Sequence, residues 1–102
     1  MYVLNAEKRN MKLKGKQLRK AGFVPGVIFG KNIDKSLCLQ FAQKEAEQFV
    51  KHNPVGSKTE ILVGDDKIPA VFMEVSYTPV VNNVEHLNFQ AEDPEKIKNY
   101  VY

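Results

Sequence analysis

The stretch KTEILVGDDKIPAVFMEVSY, residues 58–77, carries two runs of β-branched, aliphatic and aromatic residues on either side of Gly64-Asp65-Asp66. Strand formers flanking a glycine and two aspartates predict a β-hairpin, because glycine reaches positive φ freely and Asp tolerates turn geometry. The loop reads as longer than the two-residue minimum. Pro69 lacks an N–H, which predicts an edge or a bulge in the second strand.

Working outward, NNVEHLNF (82–89) gives a last strand carrying Val84, Leu87 and Phe89, whose break in strict alternation predicts a twist or bulge. Upstream, AQKEAEQFVKHNP (42–54) sets Ala46, Phe49 and Val50 at helical spacing, and Asn53-Pro54 stops the run. SLCLQF (36–41) alternates Leu37, Leu39 and Phe41 inward with Cys38 and Gln40 on the other face, after a turn-like KNIDK (31–35). FVPGVIFG (23–30) is β-rich, with Pro25 and Gly26 marking a bend or bulge. KGKQLRKAG (14–22) is a short helix at most, closed by Gly22 as its C′ residue, and YVLNAEKR (2–9) alternates Tyr2, Leu4 and Ala6 against Val3, Asn5 and Glu7.

Six short strands with two or three short helices predict a mainly β domain, curled into a closed or nearly closed six-stranded barrel that removes exposed edges. The barrel is expected over residues 1–91. Residues 92–102 form a charged tail, where Asp93 as N-cap and Pro94 as first helical residue predict a helical turn. With 102 residues and 43% hydrophobic content, one core is the expectation. The single cysteine, Cys38, reads as a buried or half-buried thiol. No long apolar run or signal-like segment stands in the sequence, so a cytoplasmic protein with no membrane association is expected.

The net charge of +3 conceals a strong asymmetry. Residues 1–35 hold nine Lys or Arg against two acidic residues, whereas the remaining 67 hold six Lys against ten acidic ones. Arg9, Lys12, Lys14, Lys16 and Arg19 therefore predict a polyanion partner: lysines act as flexible point charges on phosphates, Gly15 permits close approach, and arginines add bidentate contacts. The bland alternative is a solvated face.

Other chemistry fails on spacing. GVIFGKN resembles a phosphate loop, but only three residues separate Gly26 from Gly30 where four are needed, and Asn32 replaces the required hydroxyl residue. KAGFVPGVIF half-matches an RNA-recognition-motif octamer, yet Pro25 stands where a central strand needs a donor. Neither His52 nor His86 has clustered partners for metal or triad chemistry. No enzyme, cofactor, metal or small-molecule substrate is expected. Phe29 is read as core, because a strand aromatic beside Val27 and Ile28 is more often buried than free to stack on a base.

NAEKR (5–9), the basic segment, LRKAGFVPGVIFG (18–30) and HLNF (86–89) together resemble the family of bacterial large-subunit ribosomal protein twenty-five, which includes the Ctc general stress proteins. The resemblance implies a six-stranded barrel without catalysis, ribosome-associated, that binds 5S rRNA at an internal loop by backbone and minor-groove shape, with neighbouring ribosomal proteins as further partners. Carried over by position, it implies RNA contacts at or near Arg9, Lys14, Lys16, Arg19, Phe29, Met73, Ser76, His86 and Asn88. Five positions depart from the family's habit. Gln17 stands where a second arginine is common, Phe29 where tyrosine is, Met73 and Ser76 where glutamines often occur, and Asn88 where aspartate is usual. The rival expectation is a stress-type paralogue that binds RNA weakly or takes a protein partner through Tyr77, Tyr100 and Tyr102 or the charged tail.

Overall fold

The computed structural model describes residues 2–30, 36–79 and 83–92. Six strands, β1 (Tyr2–Lys8), β2 (Phe23–Gly30), β3 (Ser36–Ala42), β4 (Lys58–Val63), β5 (Asp66–Tyr77) and β6 (Val84–Ala91), form a closed barrel in the order β1-β3-β2-β6-β5-β4. α1 (Gly15–Lys20) connects β1 to β2, and α2 (Gln43–His52) connects β3 to β4. β1 runs parallel to β4 and β2 to β6, while the other neighbouring pairs are antiparallel. The expected mainly β barrel is therefore the observed one, with two helices among the described residues. KNIDK and residues 93–102, including the expected helical turn, Tyr100 and Tyr102, lie outside the described residues.

The hairpin is tighter than its sequence indicates. Val63 pairs with Asp66, so the loop is Gly64-Asp65 alone, and Gly64 takes φ +61°, as the first position of the primed hairpin turns demands. Of the alternatives expected at the prolines, an edge or bulge at Pro69 and a bend or bulge at Pro25, no bulge is formed at either. Pro69 keeps regular register with Glu60, and its carbonyl accepts the Glu92 N–H at 3.0 Å. Because the N and C=O of one strand residue point to the same side, its missing donor faces β6 just beyond the paired span, which begins at Ala70. Pro25 likewise pairs in register with Gln40 and precedes the β6-paired span, which begins at Gly26. The irregularities lie between β5 and β6 instead: Met73 is the extra residue between the Phe72–Phe89 and Glu74–Asn88 pairs, and Glu85 the extra one between Ser76–His86 and Tyr77–Val84. The break expected in the last strand is thus present.

Inward alternation builds the core. Leu4, Val24, Ile28, Leu37, Leu39, Phe41, Ile61, Ile68, Phe72, Leu87 and Phe89 fill the barrel, and α2 contributes Ala46 and Phe49 to the same cluster. The Phe49 ring meets Phe72 edge-on at 4.9 Å between centroids, Tyr2 at 5.4 Å and Phe89 at 5.7 Å. Each such buried ring contributes roughly 1.5–3 kcal/mol by area alone. The polar face of α2 is tied down as well: Glu45 accepts from Asn5 Nδ2 at 3.0 Å, and Glu47 accepts the Val84 N–H at 2.8 Å. Thr59, fully buried, donates its hydroxyl to the Tyr2 carbonyl at 2.6 Å, so that buried hydroxyl is satisfied.

Candidate nucleic-acid interface

The register of β3, β2, β6 and β5 decides which side chains share the barrel's outer face. Cys38, Val27, Asn88 and Glu74 are successive neighbours across the four strands, and Ser36, Phe29, Gln90 and Val71 form a second such row. A third row runs from Glu7 through Gln40 to Pro25, and on to the His86–Ser76 pair, because Pro25 and His86 stand one step before the Gly26–Leu87 pair. Ser76, His86, Asn88 and Phe29 therefore lie on one surface, and Met73 projects, exposed, from the bulge at its β5 border. Burial habits alone put Phe29 in the core, whereas the family resemblance implied a position at or near the RNA-facing surface. The structure places it half-buried on the outside, since Ile28 takes the inward position and alternation sends its neighbour out.

The basic segment is ordered and laid over one end of this face. Asn10 Oδ1 accepts the Lys12 N–H at 3.0 Å and the Asn10 carbonyl accepts the Leu13 N–H at 3.2 Å, which closes a turn with Met11 and Lys12 at its tip. Lys14 is the N-cap of α1. A lysine has no acceptor to offer, so the useful half of the cap is Gln17 Oε1 taking the Lys14 N–H at 3.0 Å. Gln17, where the family resemblance leads one to expect an arginine, is therefore occupied with starting the helix. At the other end, Gly22 takes φ +91° and bonds the Arg19 carbonyl at 3.0 Å, the expected glycine stop. Leu18, buried but outside the barrel core, anchors α1 against β2.

Lys12, Lys14 and Lys16 are exposed and Arg19 is half-buried, and none of the four has an ion-pair partner among the described residues. Gly15 does not present an open space: a Cβ there would stand 3.3 Å from Arg19 Nη1, so the room is taken by the Arg19 guanidinium folded back along the helix. Phe29 lies roughly 13 Å along β2 from Pro25, toward the end of that strand away from its junction with α1.

Arg9, half-buried just past the end of β1, links the segment to the face. Its backbone N–H bonds the Cys38 carbonyl at 3.2 Å, extending the β1·β3 pairing by one residue. Its Nε is buried without a hydrogen-bond partner. Burial first, then the Arg9 charge, holds the His86 imidazole below its ordinary range, while the Glu74 and Glu85 carboxylates pull the other way. His86 is thus neutral at neutral pH, with one nitrogen to donate and one to accept. Glu74, beside Asn88, keeps the centre of the face from being uniformly positive; the cations lie at its margin.

The sequence places Gln40 on the face opposite the core but gives it no role. It is on that face, yet only 8% exposed, because the segment after β1 covers it. Its partners are Asn10 and Glu7, thirty and thirty-three residues away, and no local pattern announces them. Gln90 and Glu74, by contrast, follow from alternation once the register is known.

The model of the Ribosomal L25p family matches residues 4–89. This chain belongs to that family. Among curated relatives, it is 33% identical over 96 residues to the large ribosomal subunit protein bL25 of Caldicellulosiruptor saccharolyticus, covering 94% of this chain and 47% of that protein. The corresponding protein of Akkermansia muciniphila is 36% identical over 80 residues, 74% of this chain and 38% of its own length. That of Clostridium tetani is 30% identical over 88 residues, covering 86% and 44%. The chain thus spans less than half the length of these L25p relatives. The matched region takes in all six strands almost entire, the basic segment and every outer-face residue named above except Gln90.

Proposed function

We propose that this L25p-family domain, taken as residues 1–91, is a non-catalytic component of the large ribosomal subunit in the bacterial cytoplasm and binds 5S rRNA. The basic segment with Arg9, Lys12, Lys14, Lys16 and Arg19 engages phosphates, and His86, Asn88, Ser76 and Met73, with Phe29 at the far margin, meet the groove. One observation carries the reading: His86 and Asn88 share an outer barrel face with Ser76, and the cationic segment is fastened to the β3 side of that face through the Arg9 N–H on the Cys38 carbonyl and the Asn10 N–H on Gln40. A pre-shaped surface of this kind suits structured RNA, which is recognised by shape and backbone.

The departures from the family's habit reduce base-edge reading more than phosphate attraction. Phe29 lacks a hydroxyl, worth about 0.5–1.5 kcal/mol if it would have bonded RNA. Met73 offers no amide, and Asn88 replaces a carboxylate acceptor with a neutral carbonyl acceptor and an NH2 donor. Titration against a 5S rRNA fragment and a duplex RNA of equal length, at several salt concentrations, tests the proposal. Tighter binding of the 5S fragment and a steep fall with salt are expected; equal affinities would reduce the segment to a nonspecific basic patch.

A further inference from the structure

Gln40 is nearly buried on the outer face of β3 and uses both ends of its amide. Its Oε1 accepts the backbone N–H of Asn10 at 3.0 Å, and its Nε2 donates to Glu7 Oε1 at 2.7 Å. The partners leave one orientation only, since an N–H cannot accept and a carboxylate cannot donate. The two anchors bracket Arg9, which stands between them and whose own N–H is taken by Cys38. Asn10 in turn carries the turn that presents Met11 and Lys12.

We infer that Gln40 is a positioning residue for nucleic-acid binding: it clamps the chain on both sides of Arg9, fixes that residue beside the outer face, and pre-orders the basic segment before RNA arrives. The inference rests on the RNA-binding reading of that segment. Without the clamp, the cations remain but sample many arrangements, and affinity falls with the competent fraction.

The test uses the full chain with Gln40→Leu, Gln40→Glu and the exchange Glu7→Gln/Gln40→Glu. Gln40→Glu still accepts from Asn10 but sets two carboxylates together, whereas the exchange restores a donor–acceptor pair with the same net charge as the natural chain. All three variants are expected to unfold cooperatively. Gln40→Leu and Gln40→Glu should bind the 5S fragment about tenfold more weakly, with an unchanged salt slope because no cation is lost, and the exchange should recover most of that loss. Two readouts need no RNA. Amide exchange at Asn10, Lys12 and Leu13 should accelerate in Gln40→Leu, and the His86 titration seen by NMR should move upward as Arg9 leaves, with Glu74 and Glu85 still beside it. Undisturbed exchange and an unmoved His86 titration would overturn the clamp. If the natural chain binds the 5S fragment and Gln40→Leu binds it equally well, the positioning role is overturned even where the clamp exists. Absence of 5S binding by the natural chain would instead overturn the RNA reading and the role that rests on it, leaving the clamp to the two RNA-free readouts.

Discussion

The Phe41 ring occupies the space where Gly26 would carry a Cβ, and the Leu87 carbonyl oxygen lies 2.9 Å from that same point. Gly26 pairs with Leu39 on one side and Leu87 on the other, so the ring of β3 folds across β2 where that strand carries no side chain. Gly26→Ala must displace either a core ring or a paired strand. It is expected to destabilise the fold by about 1–3 kcal/mol, read from urea unfolding midpoints at constant m-value.

Phe49 enters the barrel end from α2 and touches Tyr2, Phe72 and Phe89. Phe49→Ala removes the shared ring of that cluster and is expected to cost about 3–5 kcal/mol. Calorimetry showing a loss below about 1 kcal/mol, less than an ordinary core truncation, would mean that α2 does not close this end.

His86 makes stability depend on pH in one direction. Its folded pKa lies below the ordinary value of 6.5, through burial and then the Arg9 charge. On acidification from neutral pH the unfolded chain therefore takes up a proton before the folded one, and the stabilisation present above 6.5 is lost as pH falls toward the folded value. Denaturant midpoints should fall across that window in the natural chain and fall less in His86→Gln. A parallel pH profile in the two proteins would remove His86 as the source.

Charge and shape contributions to RNA binding should separate by site. Lys14→Glu and Lys16→Glu are expected to weaken a 5S fragment and a duplex alike, each lowering the salt slope by about one. His86→Ala should weaken the 5S complex selectively and leave the slope unchanged. Fluorescence anisotropy at several salt concentrations distinguishes the two patterns, and loss of neither complex on the lysine changes would favour a protein partner.

The strands, the α2 helix, its Asn53-Pro54 stop, the Gly22 stop of α1 and the basic segment were legible because each depends on neighbours within a few residues: alternation, helical spacing, a φ preference or a run of like charge. The same locality left alternatives open at the prolines, where a missing N–H requires a bulge only if a partner strand is waiting for it, and the pairing with β6 begins one residue later in both cases.

Sequence alone thus determined which residues build a mainly β barrel and where the positive charge resides along the chain. Tertiary structure decided what covers what. Phe29 faces outward because Ile28 has the inward place, Gln40 is shielded because the segment after β1 crosses it, and Asn10 bonds Gln40 although 30 positions separate their numbers. Those relations depend on register between strands far apart in the chain, and a residue's own neighbours carry no record of which strand will lie beside it.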